Sequence, residues 1–281
     1  MAEVGLVLHQ QRPLVKDVAA SAIDWLSAHG HSVRVTTADA ATVGAAGVDD
    51  HEFADGLSLV LSLGGDGTML RAVRLVGPHD VDVLGINIGH LGYLTKVEPA
   101  DLEHALDRYF AGDHDIETRM LLSVGTDTGG DTTVEHALNE VVVEKTAPGH
   151  TVRLAVDIDG DYFTTYAADG LIVATPTGST AYAMSARGPI VDPEHRALLL
   201  TPVSPHMLFD RTLVLEPDTE LVLRVVDHRD ATLTIDGQPA GVLAEGDSVT
   251  CRASRHSARL VTFGPQEFHR ILKSKFGLND R

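Results

Sequence analysis

The sequence has one cysteine, Cys251, in 281 residues. No intrachain disulfide can form, and nothing in the thiol content points to an oxidising compartment. Basic residues are also scarce, with 22 Lys plus Arg against 40 Asp plus Glu and a formal charge of −18. That balance opposes nonspecific association with DNA, RNA or anionic membranes, so neither a nucleic-acid nor a membrane partner is expected. No apolar run approaches the ~20 residues of a membrane span. The opening Met1–Gln10 stretch lacks a basic signal-peptide region, and a cytoplasmic protein is the expectation. Several motifs are missing too: a Gly-x4-Gly-Lys-[Ser/Thr] P-loop, a Gly-x-Gly-x-x-Gly after the first strand, and a Gly-x-Ser-x-Gly elbow. The 15 histidines show no His-Glu-x-x-His spacing. These gaps exclude P-loop NTPases, Rossmann dehydrogenases and hydrolases of the elbow type, and no metal ligands are assigned.

The residues present divide into two textures. Val4–Leu8 reads as a strand, and Pro13–His29 as a helix with Val15, Val18, Ala22 and Leu26 on one face and a stop at Gly30. Ser32–Thr36 is a second strand, 38–50 a loop of weak periodicity, and Leu57–Leu63 a strand with one strongly apolar face. A helix over Thr68–Val76, a strand ending at Asn87 and a helix over Pro99–Phe110 follow. Alternating strand and helix predict a layered, mostly parallel α/β domain over 1–112. Short β-like runs then dominate 113–263, with Asp159-Gly160 a hairpin signal and Gly178–Ala186 a helical interruption. The tail, 264–281, is expected to return to the first domain, with a helix over Pro265–Phe276 showing Phe268, Ile271, Leu272 and Phe276 on one side. A cleft between the α/β half and the β-rich half is the default ligand site.

Four stretches carry candidate chemistry. Gly64-Gly65-Asp66-Gly67-Thr68 closes the Leu57 strand, and its glycines permit close approach of a phosphate to the backbone. The pattern alone reads equally as a tight turn with an exposed carboxylate. Gly85–Leu94 is a glycine-spaced loop on a strand end, in which Tyr93 offers a ring to a flat ligand. Asn139-Glu140 interrupts an apolar run, so one of the pair must point inward and find a partner. Asp169–Tyr182 joins a carboxylate, a buried strand and a Thr-Pro-Thr-Gly turn to hydroxyls at Ser179 and Thr180, which suit either an anion or plain capping.

In this order the four stretches resemble the NAD kinase family: GGDGT at Gly64–Thr68, GINxGxLGFL at Gly85–Leu94, NE at Asn139-Glu140 and DGLIVATPTGSTAY at Asp169–Tyr182. Thr201–Leu208 and Ile235–Gln238 are similar to two later family segments, and the likeness spans Val4 to Phe276. GGDGT alone is shared with lipid kinases and phosphofructokinases, whereas the TPTGSTAY segment is specific. A lipid or sugar kinase, or a noncatalytic NAD(P)-binding sensor, is the alternative.

The resemblance implies transfer of phosphate from ATP or polyphosphate to the adenosine 2′-hydroxyl of NAD. It implies Asp66 as general base and Mg²⁺ or another divalent cation on the donor. Gly64, Gly65, Thr68, Asn87 and Tyr93 fall to the nucleotide and phosphate loop. Asp66, Gly67, Arg71, Asn139, Glu140, His150, Asp169, Thr180, Ala181, Tyr182, Ser185 and Gln238 fall to NAD. A homodimer or homotetramer is implied as well. Tyr93, Lys96, Arg187 and Thr212 depart from the family's usual Phe, acidic residue, Gly and Pro.

Overall fold

The computed structural model describes residues 1–77, 79–89, 92–264 and 268–278. It divides into two compact units, Met1–Thr118 with the residues from Ala258 onward, and Arg119–Ser257.

The first unit runs β1 (Glu3–Leu8), α1 (Leu14–Ala28), β2 (Ser32–Val35), α2 (Thr37–Val43), β3 (Leu59–Gly64), α3 (Asp66–Val76), β4 (Asp82–Asn87) and α4 (Leu102–Phe110). The strands lie in the order β2-β1-β3-β4, all parallel. α1 buries Val15, Val18, Ala22 and Leu26 and ends before Gly30 at φ 77°, as the helical spacing predicts. Two expectations change. All six residues of β3 are buried, Ser62 included, because a central parallel strand is covered on both faces. The 38–50 stretch is not wholly loop: α2 occupies its start, and the residue α2 buries is the charged Asp39, which apolar periodicity does not register.

The rest of the chain supplies β5 (Asp115–Thr128), β6 (Asp131–Ala137), β7 (Glu140–Lys145), β8 (Val152–Ile158), β9 (Asp161–Ala168), β10 (Gly170–Ala174), α5 (Tyr182–Ser185) and β11 (Leu198–Val203). Then come β12 (Leu213–Leu215), β13 (Leu221–Val225), β14 (Ala231–Ile235), β15 (Gln238–Leu243), β16 (Ser248–Thr262) and α6 (Phe268–Lys275). In the second unit one antiparallel sheet has the order β12-β11-β10-β7-β14-β15. β16, β13, β8 and β9 pair antiparallel in turn, and β5 with β6 forms a hairpin. The two layers enclose a core that includes Leu122, Val143, Tyr166, Val173 and Leu223. The α/β-plus-β-rich fold class is therefore borne out.

Several elements depart from the expectation. The β-like run 132–144 is two strands broken at Leu138-Asn139, and the runs at 248–252 and 258–263 are one strand, β16. From Ala258 that strand belongs to the first unit, where Arg259 and Leu260 pair in parallel with Asp82 and Val83 of β4. The helix expected over Gly178–Ala186 is a 3-10 turn at Thr177–Thr180 followed by the single turn α5. Ala181 separates them with φ −100° and ψ −126°, outside the helical region. In the tail, α6 starts at Phe268, and the expected helical residues Pro265–Glu267 lie outside the described residues.

Candidate active site

In the first unit the candidate residues gather where β1 and β3 end and α3 begins. A cavity of about 410 Å³ is lined by His9, Arg12, Gly65, Asp66, Gly67 and Arg71, among others. Asp66 is the first residue of α3, and its carboxylate accepts N–H groups from Tyr93 at 2.9 Å and Leu94 at 3.0 Å. That pair of bonds fixes the carboxylate's direction and ties the 92–95 turn to the helix start. Gly92 is required there, since a Cβ would stand 2.1 Å from Asp66 Oδ1. Gly64 is required by Thr68, whose Oγ1 would lie 2.1 Å from a Cβ. A Cβ on Gly65 or Gly67 would meet nothing within 4 Å, so packing leaves these two open to the cavity.

Arg71 does not stand as a free cation. It is bonded to the buried carboxylate of Asp39 and donates to Leu8 O at 3.1 Å, while Asp39 also accepts the Leu8 N–H. The guanidinium thus clamps α2 and the end of β1 to α3. Asn87 is buried, donating to Glu98 Oε1 at 3.0 Å and accepting from Thr95 at 3.4 Å. Its amide braces the loop after β4. The Tyr93 ring carries Lys275 Nζ 4.4 Å above its centroid, a cation–π contact from α6. Of the Gly85–Leu94 stretch, His90 and Leu91 lie outside the described residues.

In the second unit the remaining candidates gather around the break between β6 and β7. Asp236 and Gly237 form the tight β14–β15 turn with φ 47° and 74°, and the Asp236 carboxylate accepts N–H groups from Leu138, Asn139 and Glu140 at 2.7, 2.7 and 3.0 Å. Thr175 N donates to Asn139 O at 2.9 Å, and Thr175 Oγ1 donates to Leu138 O at 2.6 Å while accepting from Gly178 N. Gly178 packs so closely that a Cβ would stand 2.1 Å from Asn139 O. Tyr182 N–H bonds to the Glu140 carboxylate.

Glu140 is 7% exposed, and its Oε2 has no hydrogen-bond partner among the described residues. Burial first, and then the Asp236 charge, push its carboxyl up to about 7, against the opposing Tyr182 bond. Asp169 pairs with Lys145 at 2.6 Å. The Tyr182 phenol is raised by burial and then by the charges of Glu144 and Asp169. Thr180 donates to Thr177 O at 3.3 Å, Ala181 is half-buried, and Ser185 is exposed. Gln238 is exposed at the start of β15, paired with Ile235 across the turn. His150 is exposed in the loop before β8.

Asn139, Glu140, Asp169 and the Thr177–Tyr182 turn are thus connected through β7 and β10, which pair Ala174 with Glu140 and Gly170 with Glu144. The sequence reading missed Asp236, Thr175 and Lys145 as supports. For Asp236 a signal existed, because Asp-Gly between two β runs marks a tight turn.

A family model described as the ATP-NAD kinase N-terminal domain matches residues 4–114, and one described as the ATP-NAD kinase C-terminal domain matches 138–263. The chain belongs to the NAD kinase family. An NAD kinase of Heliobacterium modesticaldum is 43% identical over 278 residues, 98% of each chain. One of Moorella thermoacetica is 41% identical over 282 residues, 98% of this chain and 89% of that one. A crystal structure of yeast NADH kinase complexed with NADH shares the fold with a TM-score of 0.91, at 24% identity over 100% of this chain and 89% of that one. An Archaeoglobus fulgidus NAD kinase in complex with ATP gives 0.74 at 24% identity over 99% of both chains. The NAD kinase N-terminal match contains Asp66 and its glycines, and the C-terminal match contains Asn139, Glu140, Asp169, Tyr182 and Gln238.

Proposed function

We infer that this enzyme is an NAD kinase, a phosphotransferase moving the terminal phosphoryl group of ATP to the adenosine 2′-hydroxyl of NAD. The observation that carries the reading is Asp66. In a chain matched by both NAD kinase family models, its carboxylate sits at the start of α3 on the 410 Å³ cavity, aimed by two backbone N–H bonds. In the proposed reaction the 2′-oxygen attacks the terminal phosphorus and its proton passes to Asp66. The bond from that phosphorus to the bridging oxygen breaks, and ADP leaves. A positioned base contributes about 10²–10⁴-fold to such a step.

The donor enters as its magnesium complex. The cation would be carried on the substrate phosphates, as Mg²⁺ commonly is in kinases. Gly64, Gly65 and Thr68 would receive donor phosphates, and Gly67 would face NAD beside Asp66. Asn139 and Glu140 would accept from or donate to ribose hydroxyls and the amide. Asp169, Thr180, Ala181, Tyr182, Ser185, Gln238 and His150 would surround the rest of NAD, and Arg71 would act through its clamp on the helix start. Polyphosphate as a second donor, a homodimer or homotetramer, and a cytoplasmic location complete the proposal. No helix among the described residues is long and apolar enough to cross a membrane.

The deciding assay combines purified protein, NAD, ATP and Mg²⁺, with NADP read by a coupled dehydrogenase. NADP above the blank is expected. NAD binding without NADP formation would refute the kinase and leave a sensor.

A further inference from the structure

β5 pairs with both β6 and β16, and the ribbon has two unlike faces. Met120, Leu122, Val124, Ala137, Val249 and Cys251 belong to the core of the second unit. Strand alternation therefore turns Ser123, His136, Arg252, Ser254 and His256 the other way. With Val134 and Arg255 these side chains line a cavity of about 400 Å³ that shares no residue with the candidate active site.

We propose that this cavity binds an oxyanion of the phosphate class, held by Arg252, Arg255, His136 and His256. The rings of His136 and His256 meet edge to face, 5.8 Å between centroids. Arg255 Nε donates to His256 Nε2 at 3.3 Å, and among the described residues neither Arg255 nor either histidine is paired with a carboxylate. Arg252 reaches only Glu220, at 3.9 Å, with both side chains well exposed. A chain of charge −18 thus leaves two guanidinium groups and two imidazoles converging without a firm counter-charge.

The local chemistry selects the ligand. Guanidinium and imidazole N–H groups are donors, and the hydroxyl of Ser123 adds a third kind, so a group with several acceptor oxygens satisfies them together. A metal ion does not fit, since two cations and only two nitrogen ligands of the required type face the space. The repulsion that the histidines and Arg255 exert on one another supports the same conclusion: burial first, then His256 and Arg255, hold His136 below its usual value. A bound oxyanion would relieve that repulsion.

The test uses the full chain labelled at histidine with ¹³C and ¹⁵N, with ring signals assigned from His136→Gln and His256→Gln. Inorganic phosphate and tripolyphosphate are titrated separately at constant ionic strength. The expected result is that both rings move along one saturating curve. The curve should weaken about tenfold or more in the Arg252→Gln/Arg255→Gln double variant, which loses two charge-assisted donors. That variant should keep the parent's backbone spectrum and its ATP-dependent rate of NAD phosphorylation in anion-free buffer. Saturation by phosphate alone, or by tripolyphosphate alone, fixes the size of the anion and supports the site. Shifts that grow linearly with salt, that follow protein concentration, or that persist unchanged in the double variant overturn it. The readout needs no turnover, so failure of the kinase assay leaves the result interpretable.

Discussion

Asp66 and Glu140 are both carboxylates in motif positions, and their surroundings set them different tasks. Asp66 receives two backbone N–H bonds at the rim of a cavity, so an amide in its place keeps the size and loses both the proton acceptor and one of those bonds. Asp66→Asn should lower turnover by ~10² or more while NAD affinity stays within a few-fold, measured by steady-state kinetics and calorimetry. Glu140 is instead held protonated up to about 7 by burial and Asp236. Between its ordinary 4.5 and about 7 the folded state keeps a proton that the unfolded chain releases. Its contribution is therefore fully present below 4.5 and is lost as pH rises through about 7, a change on the order of 3 kcal/mol. Urea denaturation from pH 4.5 to 7.5 should show this slope in the parent and a flatter one in Glu140→Gln. Ribose hydroxyls donating to the carboxylate would favour its charged form. NAD binding near pH 6.5 should then release a fraction of a proton, seen as calorimetric heats that depend on buffer ionisation, and Glu140→Gln should abolish it.

The turns show that the motif glycines are of two kinds. At Gly178 the space for a Cβ is occupied by the Asn139 backbone, whereas Gly65 faces open cavity. Gly178→Ala should lose about 1–3 kcal/mol of stability, because the obstacle is backbone. It should also raise the KM for NAD by displacing Asn139. Gly65→Ala should stay within about 0.5 kcal/mol of the parent and raise the KM for ATP instead. Chemical denaturation with paired KM values separates the two. Sequence spacing made α1, β1 and the Asp159-Gly160 turn legible, because apolar period and turn chemistry are local. It did not reveal α2, which buries Asp39 against Arg71, nor the break at Ala181, beyond which the Tyr182 N–H meets Glu140. In both, a polar contact distant in the chain overrides the local pattern.

At the scale of the whole molecule, Cys251 lies in the core of the second unit, and burial pushes its thiol up to about 12. A thiol reagent should leave the native protein unmodified and label it at a rate that follows global opening, which a denaturant series checks. The charge of −18 bears on the donor as well: chelation of divalent cations should abolish NADP formation and added Mg²⁺ restore it, as the coupled assay will show. Composition, strand–helix alternation and the four motifs by themselves determined the fold class, the family and which residue types could meet a phosphate or a ribose. These properties are written in residue identity and short-range period. Only the tertiary structure decided that Arg71 belongs to Asp39, that Asn87 braces Glu98, and that Asp236 holds the Leu138-Asn139-Glu140 backbone from 96 to 98 residues away. Hydrogen bonds between segments so far apart exist only after strand pairing has brought them together, and no periodicity in the chain records them.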